Sequence, residues 1–198
     1  MGTRGIMGIR VNGEDKLTYN HYDSYPDELG KNMVKAIQET ILPNIKQFTQ
    51  LAKDLVLVQE NGKPTPEQIK KYQGSYDPDV SSKSEQDWYC LLRELQGDII
   101  ATLTTGVMID SHKFVNDSLF CEYGYIVNFD ENTFETYEGF QKEPDPNQNN
   151  RFRTDTKPKP EYEGANIYYP IALMKTFPLD DIPENWIKLS FPNEEEDE

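Results

Sequence analysis

Arg4-Gly5-Ile6-Met7-Gly8-Ile9-Arg10-Val11-Asn12-Gly13-Glu14-Asp15-Lys16-Leu17-Thr18-Tyr19-Asn20-His21-Tyr22 is the stretch on which the fold turns. Ile6, Met7, Ile9 and Val11 read as a strand, and Leu17, Tyr19 and Tyr22 as its return. Asn12-Gly13 between them tolerates positive φ at both positions, which a tight hairpin turn requires. A loop of even length sets odd positions of the return strand opposite even positions of the first. His21 and Asp23 are then expected to share a face with Arg4, gathering an imidazole, a carboxylate and a guanidinium in one place.

The segments that follow supply the cover. Ser24-Tyr25-Pro26-Asp27-Glu28 reads as a helix start: proline presets φ, Ser or Asp caps, and early carboxylates suit the positive helix end. Leu29, Met33, Ala36, Ile37 and Ile41 recur at helical spacing, and Ile45, Phe48, Leu51, Ala52 and Leu55 carry the stripe past Pro43 to about Val58. A short helix is expected from Pro66 to Tyr72. Ser84 with Asp87 resembles a capping box ahead of a second stripe, Trp88, Leu91, Leu92, Leu95, Ile99 and Leu103, that Gly106 terminates. Alternation over 121–129 and 134–140 predicts a second hairpin around Asp130-Glu131-Asn132-Thr133, and 167–177 a late strand. A terminal helix is expected to start near Pro183.

This order predicts one α+β domain over 1–193. Its core is an antiparallel sheet of two hairpins plus a late strand, with two long helices, near 27–57 and 84–104, packed on one face. Residues 141–163, rich in Pro and Asn, read as a long mobile loop, and 194–198 as a disordered acidic tail.

Composition narrows the function. In 198 residues, 35 Asp and Glu face 20 Lys and Arg, a net charge of −15, which disfavours duplex nucleic acid as a partner. The basic patch Arg151-Phe152-Arg153 with Lys157 and Lys159 is matched by acidic neighbours within its own loop. No apolar run approaches a membrane span, and the opening residues lack a signal-peptide core. Two cysteines, Cys90 and Cys121, make no disulfide framework, so a cytoplasmic location is expected. No phosphate loop, dinucleotide fingerprint or zinc pattern appears, and no cofactor is expected.

Tyr19-Asn20-His21-Tyr22-Asp23-Ser24-Tyr25-Pro26 is the chemically dense segment, although polar residues at a strand-to-helix junction often serve only as caps. This block, the opening Met1-Gly2-Thr3-Arg4-Gly5, Tyr125–Asp130 and Ala172–Asp180 resemble a family of uncharacterised proteins of bacteria and bacteriophages. The resemblance implies a shared scaffold and a bacterial or phage origin, and no activity.

Three functions fit these residues. Thr3, if made terminal by processing, could act as an N-terminal nucleophile. His21-x-Asp23 and Asp110-x-His112 could supply metal ligands for a hydrolase. The favoured expectation is a small acidic binding protein, phage-associated and without chemistry of its own, acting as a host-directed inhibitor or a sequestering protein. Its expected surface is Arg4, Tyr19, His21, Asp23 and Tyr25, and its expected partner a protein or a small anionic ligand.

Overall fold

Asn12 and Gly13 take φ of 54° and 77°, and the turn they make joins β1 (Gly5–Val11) to β2 (Glu14–Asn20), with Val11 opposite Glu14. The computed structural model describes residues 2–77, 79, 87–156, 158 and 167–192. Ser84, the acidic tail 194–198, and residues 157 and 159–163 of the proline-rich loop lie outside that set.

The second hairpin is β5 (Tyr123–Asn128) and β6 (Thr133–Glu138), and the late strand is β7 (Ala172–Pro178). They complete a five-stranded sheet of order β2-β1-β5-β6-β7. One correction concerns strand direction. The two hairpins join through β1 and β5, which run parallel with Met7 opposite Tyr125, so the sheet is mostly antiparallel but mixed. Parallel alignment brings both hairpin turns to the same end. There the Asp130 carboxylate accepts the Asn12 and Gly13 amides at 2.7 and 2.8 Å.

A second correction concerns the helices, since only one of them is long. A helical run of 29 residues, α1 (Pro26–Asp54), passes through π-type and 3-10 turns around Pro43. Asn44 has a non-helical φ of −125°, and its side-chain amide donates to the Thr40 carbonyl at 3.0 Å, an acceptor that the kink frees. The run stops at Asp54. Val56–Val58, expected as its end, forms β3 and pairs in parallel with β4 (Val107–Ile109). α2 (Pro66–Tyr72) sits where expected, opened by a Thr65–Gln68 capping box.

The stripe from Trp88 to Leu103 splits into α3 (Trp88–Leu91), a 3-10 turn (Arg93–Leu95) and α4 (Ile99–Thr105). Gly97 adopts a φ of +79°, and Asp98 caps a new helix by accepting the Ala101 amide at 2.8 Å. The apolar spacing is kept because the pieces fill two cores. Ile99 and Leu103 join the main core between the sheet and α1, with Met7, Ile9, Tyr125, Phe134, Met33 and Ile37. Trp88, Leu91, Leu92 and Leu95 pack with Tyr72, Val107 and Ile109 in a separate cluster.

Both faces of the large sheet are buried. Ile6, Leu17, Ile126 and Tyr137 lie under Val115, Cys121, Ile171 and the partly buried Phe114 and Phe152. The described part of the 141–163 stretch helps to form this cover. Asp145 is buried, and its carboxylate accepts from the Asn147 and Leu173 amides and the Asn150 side chain, each at 2.8 Å. α5 (Trp186–Ser190) brings Trp186 edge-on to Tyr125 and Phe134.

Candidate functional site: a paired cleft with an aromatic wall

Strand β2 ends at Asn20, and the turn after it decides which side chains meet. Asn20 and Ser24 are buried, and the Asn20 amide donates to Ser24 Oγ at 2.8 Å and to the Tyr22 carbonyl. The Ser24 amide donates to the Thr3 carbonyl at 3.2 Å, and Tyr125 Oη to the Ser24 carbonyl at 3.1 Å. Asp23 takes a φ of 52°. The period-two alternation stops there, so the expected grouping holds only in part.

Tyr19 and His21 line a cleft of about 1050 Å³ together with Asp110, Ser111, His112, Lys113, Phe114 and Tyr89. Asp23, expected beside His21, instead lines a neighbouring cleft of about 660 Å³ with Tyr22, Glu28, Arg93 and Asp98. Tyr25 lines neither, and its ring centre lies 6.1 Å from that of Tyr123. Arg4 stacks its guanidinium 4.8 Å from the centre of the Phe120 ring, and its charge is felt by both Tyr19 and His21.

The Tyr19 hydroxyl and His21 Nδ1 are 2.7 Å apart. Burial holds the His21 pKa below its usual 6.5, and the nearby Arg93 and Arg4 charges add to the effect. Burial also raises the Tyr19 hydroxyl pKa, with Tyr89 adding to the shift. At neutral pH Tyr19 therefore keeps its proton, and the imidazole tautomer decides whether Tyr19 donates to Nδ1 or accepts from it. The sign of the stability effect follows. An unfolded His21 binds its proton near 6.5, before the folded one does, so stability falls as pH drops below about 6.5 and levels off once the folded value is passed. NMR titration of the imidazole should give a His21 pKa below 6.5, and His21→Gln should remove that portion of the pH dependence of unfolding. A titration at or above 6.5 would contradict the partly buried, cation-flanked placement.

Aromatic contacts run along the wall of both clefts. Phe114 lies edge-on to Tyr19 at 5.1 Å, Tyr19 contacts His21 at 5.7 Å, and His21 meets Tyr22 at 4.2 Å between ring centres. Arg93 continues the run, its guanidinium carbon 5.2 Å from the Tyr22 ring centre and 5.5 Å from that of Tyr89. Gln96 lines both clefts and accepts a hydrogen bond from Arg93. Among the described residues, the two linings hold ten carboxylates against three cations.

Arg93, Tyr89, Gln96 and Phe114 were not among the expected site residues. Tyr89 and Arg93 stand four apart and off the Trp88–Leu95 apolar stripe, which marks them as neighbours on an outward face; that spacing was the available signal.

His21, Asp110 and His112 line one cleft. Asp110 accepts from the His112 amide (3.0 Å) and the Gln59 side chain (3.2 Å), and among the described residues no group of three His, Cys, Asp or Glu is placed to hold a metal ion. Thr3 is buried and lines neither cleft. Among the described residues no helix is long and apolar enough to cross a membrane. Compared with protein-family models, curated proteins and solved structures, the chain finds no match.

Proposed function

We propose that this chain is a binding protein and that the paired cleft receives a basic segment of a partner protein. One observation carries the reading: a continuous aromatic wall, Phe114–Tyr19–His21–Tyr22, set among ten carboxylates and three cations. Rings of this kind offer rigid contact area at low entropic cost and attract cations over their faces. Stacked nucleobases would also suit a row of rings, but a phosphate backbone would meet net negative charge throughout. The same charge disfavours a small anionic ligand. In a phage-infected cell such a protein would act as a host-directed inhibitor by covering a basic surface of its target.

The test is fluorescence anisotropy with short labelled peptides. An arginine- and lysine-rich peptide should bind, with affinity falling as salt is raised, and a glutamate-rich peptide of equal length should not. Glu60 and Glu94 are exposed, one in each cleft. The double reversal Glu60→Lys/Glu94→Lys should weaken the basic peptide by about tenfold or more at low salt while the fold persists. Tyr19→Ala should weaken it by about tenfold through lost stacking. Equal affinity for both peptides, or indifference to the charge reversal, would refute the proposal.

A further inference from the structure

Arg93 occupies an unusual position within this site. Its guanidinium lies against the rings of Tyr22 and Tyr89, donates to Gln96, and approaches the Tyr89 hydroxyl at 3.4 Å. Among the described residues, no carboxylate forms an ion pair with it, although the clefts on either side are rich in carboxylates. Its holders are therefore neutral: two rings, one hydroxyl and one amide. One of the two rings, Tyr22, is 54% exposed. Guanidinium groups prefer such flat, weakly hydrated surroundings, whereas a compact ammonium does not.

We infer that the Tyr22–Tyr89–Gln96 seat is an arginine-binding site that the chain fills with its own Arg93, and that an arginine of the bound partner segment exchanges with it. This rests on the binding reading above and goes further by naming the side chain that is recognised. Three features favour exchange. The seat is at the junction of the two clefts, where an extended basic segment would cross from one to the other. Because its contacts are made by neutral groups, the seat can release Arg93 without leaving a bare charge behind. And Arg93, once displaced, swings out among the carboxylates of the smaller cleft, which it already lines. The resident arginine thus acts as a built-in competitor, setting a threshold that a lysine, with no planar fork to stack, passes less readily.

Arg93→Gln vacates the seat and removes one charge, and Lys35→Gln removes one charge from the same cleft while leaving the seat filled. The arginine peptide should bind Arg93→Gln about tenfold more tightly than it binds the parent chain, as expected for two cation–ring contacts. A lysine peptide of equal charge should gain no more from Arg93→Gln than from Lys35→Gln. Equal gains for both peptides would reduce the effect to net charge and overturn the inference, and no gain, or a loss, would show Arg93 to be a structural pin. A second measurement does not depend on peptide binding. In Arg93→Ala, confirmed folded by circular dichroism, methylguanidinium should shift the Tyr22 and Tyr89 ring resonances and methylammonium should not. Absence of that selectivity would also overturn the seat. Should the parent chain bind neither peptide while the methylguanidinium shift appears, the proposed function fails and the seat stands.

Discussion

Arg151→Ala is expected to lower the free energy of unfolding by about 3–5 kcal/mol, a large part of the roughly 5–15 kcal/mol that holds a domain together. Arg151 comes from the 141–156 stretch and reaches across the sheet. It contacts Asp15 Oδ1 at 2.7 Å on β2 and Glu135 Oε2 at 2.6 Å on β6. The side chains of Asp15 and Glu135 are only 7% and 5% exposed, so truncation strands two carboxylates away from water. They keep other partners. Arg10 holds Asp15 at 2.7 Å, while Asn128 and Tyr137 donate to Glu135 at 2.8 and 2.9 Å. Burial, and the Glu135 charge after it, keep the Tyr137 hydroxyl protonated for that role. Partial compensation points to the lower half of the range.

The triple variant Asp15→Asn/Glu135→Gln/Arg151→Met should recover much of the loss, because the cost arises from unpaired charge more than from missing contact area. Chemical denaturation, read as a shift in midpoint at unchanged slope, measures both variants. If the triple variant were as unstable as Arg151→Ala, the penalty would lie in packing against Phe152 and Tyr137 rather than in electrostatics.

Lys16→Met is expected to cost about 3 kcal/mol. Lys16 is 6% exposed, and its ammonium donates to the carbonyls of Ala52, Lys53 and Leu55 at 3.1, 3.2 and 2.8 Å. Those acceptors are left over where α1 ends, and they lie at the negative end of its dipole. Methionine preserves most of the volume but leaves the carbonyls without a donor. Amide exchange should speed up in the last turn of α1 and in β3 before it does so in β5 and β6, because the lost bonds are local to the helix end. A midpoint shift well under 1 kcal/mol would mean that water replaces the ammonium at no cost, and that the bonds contribute little.

Neither device can be read from the chain, and the same is true of much of the site. Lys16 and Asp15 sit in an alternating strand, where charged residues ordinarily face solvent. The 141–156 stretch buries Asp15, and the end of α1 buries Lys16; both partners are distant in sequence. His21 and Asp23 belong to one motif and were expected on one face, yet the positive φ at Asp23 ends the alternation and sends them into different clefts. Arg93 and Tyr89 lay off the apolar stripe of a segment read as a single helix. The first helical piece instead ends at Leu91, and beyond a 3-10 turn the left-handed Gly97 and the Asp98 cap start a separate helix.

What the sequence determined by itself is local. Asn12-Gly13 specified the first hairpin, Pro66 the start of α2, and the stripe from Leu29 to Ala52 a helix able to cover the sheet. These follow from backbone freedom, capping and periodicity, each spanning only a few residues. The tertiary structure alone decided that β1 and β5 run parallel, that both faces of the sheet are buried, and that Tyr19, His21, Tyr22, Arg93 and Tyr89 share one wall. Strand edges carry the same amide and carbonyl groups in either direction, so the choice falls to packing: both turns at one end, joined through Asp130, with α1 laid across the apolar face.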